Sequence, residues 1–242
     1  MNKNILIIVT LIVILGGGFL YITRKPMAPS QSAESALNQV STDTGNMAPE
    51  ELEKELSEEM KNTENPEAVK DTKKHYKIAS ASSKVEFKID EILRDKPFTA
   101  VGTTSDIAGD IYVKADNSIE MGTIKINART FKTDSSNRDT AIARFILKSD
   151  DPKNEFITFV PKKITGKLPK VNVSGDLTIS GKTMPISFDI VAGVTDGNTL
   201  SGTASGALKR SDFNLTIPSV KFVASVNDQF TISANIVANE VK

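Results

Sequence analysis

Residues Val171 to Ile190, VNVSGDLTISGKTMPISFDI, constrain this chain more than any other stretch. Val171, Val173, Gly175, Leu177 and Ile179 alternate with polar residues, and after Ser180-Gly181-Lys182-Thr183 the apolar set resumes as Met184, Ile186, Phe188 and Ile190. A period of two puts each set on one face of a pleated strand, so the segment predicts two strands joined by a short turn. The same rhythm recurs at Val85-Phe87-Ile89, Ile107-Gly109-Ile111-Val113, Ile124-Ile126-Ala128 and Ile157-Phe159. It returns at Leu200 through Leu208 and at Phe230 through Ala238. Short strands at this spacing, with turn residues between them, predict an antiparallel barrel or sandwich. One segment breaks the rhythm. Arg138 to Ser149 puts Ala141, Ile142, Phe145 and Ile146 on one helical face, with Ser135 or Ser136 as N-cap, which predicts a short helix covering one end of the sheet.

The N-terminal third is of another kind. Ile5 to Ile22 is an 18-residue apolar run interrupted only by Thr10, Gly16-Gly17-Gly18 and Tyr21. At about 1.5 Å per residue it reaches about 27 Å, enough for a bilayer core. Phe19, Leu20, Tyr21 and Ile22 are poor cleavage residues, so residues 1–25 read as an uncleaved signal-anchor, a transmembrane helix rather than a removed leader. Lys3 with the terminal amine nearly balances Arg24 with Lys25, so charge does not set the orientation. Residues 26–75 are polar and acidic and read as a linker, with a possible helix over 49–61 carrying Leu52, Leu56 and Met60 as a narrow stripe. A flexible linker of this length would hold its ends roughly 35–45 Å apart.

Composition removes several functions. There is no cysteine, which excludes disulfides, thiolate metal sites and cysteine nucleophiles. A single histidine, His75, leaves no serine triad and no multi-histidine metal site within one chain. Thirty basic residues balance thirty acidic ones, and no basic-aromatic interleaving points to nucleic acid. Gly181-Lys182-Thr183 lacks the spacing of a phosphate loop, and a strand follows it. No two of Asp134, Asp139 and Asp212 are placed at a catalytic separation. The chain reads as a non-enzyme with neither cofactor nor metal.

The inward apolar faces then enclose either side chains or a ligand. Gly109, Ala128, Gly202, Ala204, Gly206, Ala234 and Ala238 are small, which suits either an axial cavity or glycine kinks. Phe87, Phe145, Phe159, Phe188, Phe222 and Phe230, with Ile89, Ile111, Ile126, Leu177 and Ile179, are the lining candidates. Arg138 and Arg210 are the head-group candidates. Each guanidinium suits a phosphate bidentately, or else pairs with a neighbouring aspartate and pins a loop.

Six segments in order resemble the YceI-like family of polyisoprenoid-binding proteins. They are Ser83 to Ile89, Val101-Gly102 with Gly109-Asp110-Ile111, and Thr133 to Asp139. Phe156 to Phe159 with Ile164, Val173 to Gly181, and Arg210-Ser211-Asp212-Phe213 complete the set. The match covers Tyr76 to about Val241. The resemblance implies an eight-stranded antiparallel lipocalin-like barrel over residues 76–242 whose interior holds a long isoprenoid chain. It also implies a periplasmic or cell-surface location; together with the signal-anchor read from Ile5 to Ile22, the expectation is a membrane-tethered carrier of an isoprenoid or other long-chain lipid. The alternative is a structural barrel of the cell envelope without ligand. The chain departs from the family pattern at Ala143 to Phe156, where an aromatic pair and a Tyr-Pro are missing; a barrel that has lost its ligand, or a changed pocket, follows from that.

Overall fold

The hairpin forms as the alternation predicts. In the computed structural model, which describes residues 29–43, 73–218 and 223–242, β9 (Lys170–Ile179) pairs antiparallel with β10 (Lys182–Thr195). Leu177 faces Met184, Val173 faces Phe188, and Val171 faces Ile190 across the ladder. Ser180 and Gly181 both have positive φ, 49° and 76°, the turn geometry that matches the twist of flanking strands. Val171, Val173, Gly175, Leu177 and Ile179 are all buried, and the polar residues between them are not.

The other strands are β1 (Lys74–Ile78), β2 (Lys84–Leu93), β3 (Lys96–Thr104), β4 (Ile107–Ala108) and β5 (Asp110–Val113). They continue as β6 (Ile119–Met121), β7 (Ile124–Asn127), β8 (Phe156–Lys167), β11 (Thr199–Lys209) and β12 (Val223–Glu240). All twelve join one antiparallel sheet that curls on itself. Its pairing path runs β4-β7-β8-β9-β10-β11-β12-β1-β5-β6, with β2 and β3 branching from β12. Only Gly109 separates β4 at one end of that path from β5 near the other. The expected eight strands are therefore corrected to twelve segments. Stretches read as continuous are cut by short irregularities: a 3₁₀ turn at Ser80–Ser82 splits β1 from β2, although both pair with β12.

The expected helix is also divided. α2 (Ser136–Ala141) is capped by the Ser135 hydroxyl, which accepts from Arg138 N. A π-helical turn, Ile142–Ile146, follows it.

A second helix, α1 (Ala33–Asp43), lies in the segment read as linker. Ser32 Oγ accepts from Ser35 N as its cap, and Ala33 and Ala36 are buried. Asp106 Oδ1 accepts from Ala33 N at 2.9 Å, and Glu155 Oε1 accepts from Gln31 N at 3.0 Å. Asn127 Nδ2 donates to Gln31 O and to Asp106 Oδ2, and Lys125 Nζ donates to Ala36 O. The linker expectation is revised over residues 31–43, which are seated on the outer wall at β4 and β7 by partners distant in sequence. Burial beneath that helix lowers the Lys125 ammonium pKa. The anchor at 1–25 and the helix at 49–61 lie outside the described residues. Among the described residues no helix is long and apolar enough to cross a membrane.

Candidate functional site

Among the described residues, two cavities of unequal size are lined mainly by apolar side chains of the curled sheet. The larger, about 930 Å³, opens at the end where β2, β3, the start of β12 and α2 converge. Alternation along β2 turns Phe87, Ile89, Glu91 and Leu93 inward. Their cross-strand partners on β3 are Gly102 opposite Phe87, Ala100 opposite Ile89 and Phe98 opposite Glu91. On β12, Phe230 pairs with Ile89 and Ile232 with Phe87. Ala141, Ile142, Ile146 and Leu147 close the far wall, with Ile157 and Ile179 deeper in. The Phe87 ring lies against Gly102, where any Cβ would come within 2.2 Å of it, and packs on Phe131 at 5.5 Å. The smaller cavity, about 130 Å³, has a lining that is apolar apart from Thr203 and Ser233. There Phe159 meets Phe188 edge to face at 5.4 Å.

The candidate lining residues divide between the two. Phe87, Ile89, Ile179 and Phe230 line the larger cavity; Ile111, Ile126, Phe159, Leu177 and Phe188 line the smaller. Phe222 lies outside the described residues. Phe145 is a correction: it is 40% exposed and lines neither. Its helical face was read with the α period, but the Leu147 amide bonds to Ile142 O, five residues back. That π spacing turns Ile146 and Leu147 to the interior with Ile142 and leaves Phe145 outward. The small residues do not all leave an axial void. Gly202, Ala204 and Ala234 line the smaller cavity, while a Cβ on Gly109 would meet Ile124 and one on Gly206 the Phe188 ring.

The charged side chains that line the larger cavity are Glu91, Arg94, Lys96, Asp134, Arg138 and Arg210. Arg138 Nη2 donates to Glu91 Oε1 at 3.0 Å, and Nη1 pairs with Asp134. Its guanidinium lies over the Phe98 ring at 5.1 Å. Glu91 is 8% exposed, a carboxylate on an otherwise apolar wall. Arg138 does not pair with Asp139; that carboxylate accepts from Thr133 N and Oγ1, both at 2.7 Å, and closes the loop before α2. Arg210 donates to three backbone carbonyls, Asn227 at 2.8 Å, Leu215 at 3.0 Å and Val226 at 3.3 Å. Beside it Asp228 accepts from Ser211 N and Oγ, which lowers its carboxyl pKa. Arg210 thus fastens the mouth loop to β12, through carbonyls rather than the expected aspartate. His75 stacks on Tyr112 at 4.6 Å and contacts Asp110. Among the described residues no group of three histidine or acidic side chains could hold a metal.

Sequence reasoning missed Glu91 and Phe98. Glu91 had a signal, because Val85, Phe87 and Ile89 set an inward register whose next member is Glu91.

Three solved structures share this fold. BcnA of Burkholderia cenocepacia is 21% identical, with a TM-score of 0.57 over 67% of this chain and 99% of that one. A polyisoprenoid binding domain from Saccharophagus degradans, implicated in plant cell wall breakdown, is 10% identical, with a TM-score of 0.56 over 69% of this chain and 98% of that one. The Campylobacter jejuni YCEI protein is 23% identical, with a TM-score of 0.50 over 58% of this chain and 85% of that one. No curated protein matches the chain. The YceI-like domain model matches residues 76–238, more than half of the sequence, and the chain belongs to that family.

Proposed function

We propose that the domain is a lipid-binding module that takes a long apolar molecule, isoprenoid-like in shape, into the larger cavity with its polar head at the mouth. The observation that carries this reading is the cavity of about 930 Å³, whose lining is mostly apolar with a small set of charged side chains. Ligand sites run from about 300 to 1,000 Å³ and are mostly apolar with a few placed polar groups. The polyisoprenoid binding that the Saccharophagus degradans domain is described by supports the same class of ligand. Binding is partition, at about 0.8 kcal/mol per buried methylene, so affinity is spread over the wall and no phenylalanine dominates. No chemical step is part of this reading. The apolar run Ile5 to Ile22 supports a membrane tether, with the domain outside the cytoplasm and close to the bilayer that supplies its ligand. The ligand-free structural barrel draws support from the smaller cavity alone, whose walls interlock. Solvent extraction of lipid from the purified full chain, followed by mass spectrometry, tests the proposal. A stoichiometric long-chain lipid is expected, and repeated lipid-free preparations that also take up none when it is added would overturn it.

A further inference from the structure

We infer that the cavity mouth selects an uncharged oxygen head group, an alcohol or a carbonyl, over a diphosphate. This rests on the lipid-binding reading above and specifies its ligand class. A mouth with two arginines invites the opposite conclusion, because guanidinium matches phosphate well. The contacts argue against it. Arg210 donates through Nε, Nη1 and Nη2 to backbone carbonyls that hold the mouth loop, so an anion there competes with the fold itself. Arg138 is already neutralised twice, by Asp134 at the rim and by Glu91 on the cavity wall.

Glu91 decides the matter. Its side chain is 7% exposed and that of Arg138 is 18% exposed, so the pair sits where water screens little. A diphosphate brought to Arg138 meets the Glu91 carboxylate at close range. Displacing Glu91 from Arg138 instead leaves a buried carboxylate without its partner, which is costly. The other cations at the mouth, Arg94 and Lys96, are exposed, and solvent and salt weaken what they offer an anion. A cationic head group meets the same obstacle from Arg138. A hydroxyl or carbonyl meets neither. A hydroxyl donates to a Glu91 oxygen, or either group accepts from a guanidinium N–H, of which Arg138 has five and directs two at its partners. The Arg138 guanidinium, shared between Glu91 and Asp134, thus offers no surplus positive charge beside the apolar wall, and Glu91 is the specificity-determining residue.

The test is a competition titration of geranylgeraniol against geranylgeranyl diphosphate on the full chain in one mild detergent at fixed salt. The wild-type chain is expected to bind the alcohol at least about tenfold more tightly, the scale of an unpaired or repelled buried charge. Glu91→Gln removes the competing carboxylate and is expected to raise diphosphate affinity about tenfold, narrowing the preference for the alcohol. Equal or tighter diphosphate binding by the wild-type chain would overturn the inference and leave the lipid-binding reading standing. Binding of neither probe would overturn both. The wild-type comparison decides even if the variant fails to fold.

Discussion

The two ends of the barrel interior are built from the same alternating strands, yet one is packed and the other hollow. At the packed end, strands face strands. Ile111, Phe159, Leu177 and Leu200 are all at most 7% exposed, and only about 130 Å³ remains between them. At the hollow end, α2 and the π-helical turn replace a strand in the wall opposite β2 and β3. Neighbouring strands lie about 4.8 Å apart, whereas a helix with its side chains is about 10–12 Å across. The helical wall therefore stands off, and about 930 Å³ stays open. Hydrophobic patterning sets which side chains face inward; the kind of element completing the wall sets whether they meet.

If this contrast holds, the two ends respond differently to substitution. The largest effect belongs to the packed end. Leu177→Ala is expected to destabilise the domain by about 2–5 kcal/mol in urea unfolding while leaving the hollow end's lipid capacity unchanged. A loss below about 1 kcal/mol would show that the packed end is loosely filled. Ile89→Trp should do the reverse. It fills the hollow end and is expected to weaken lipid binding about tenfold, about 1.4 kcal/mol, with unfolding free energy changed by less than that. Phe145→Ser is expected to lie within about 0.5 kcal/mol of wild type in the same unfolding assay, because that ring is outward; a core-sized loss would return it to the interior.

The smallest effect is a titration at the packed end. Burial raises the Tyr76 phenol pKa above its ordinary value, and its hydroxyl donates to Gly197 O at 3.1 Å. A folded-state pKa above the unfolded one means the contribution to stability is full below about pH 10 and lost as pH rises through the folded value. Ultraviolet titration of the full chain against Tyr76→Phe is expected to show the Tyr76 phenol ionising above the ordinary tyrosine value, and a difference curve at or below that value would contradict it.

Much of the wall was legible in the sequence, because β9 and β10 obey a strict alternation that burial rewards residue by residue. Glu91 was legible by the same rule but was overlooked as a charge in an apolar register. Phe145 was misread, since a π turn leaves no mark in an α-period pattern. The seat of α1 could not be read at all. Ala33 and Ala36 are small and unremarkable, and what holds the segment, Asp106 at Ala33 with Asn127 and Glu155 at Gln31, comes from three later positions that only the fold brings together. The hollow volume was equally hidden, because a period of two is blind to whether facing side chains touch.

The most direct measurement is a crystal structure of the full chain with a long-chain prenyl alcohol bound. The account predicts continuous ligand density along Ile89, Phe230 and Ile146, with the hydroxyl beside Glu91 and Arg138 and the packed end unchanged. A ligand threaded between Phe159 and Phe188, or an empty hollow end beneath saturating alcohol, would contradict it.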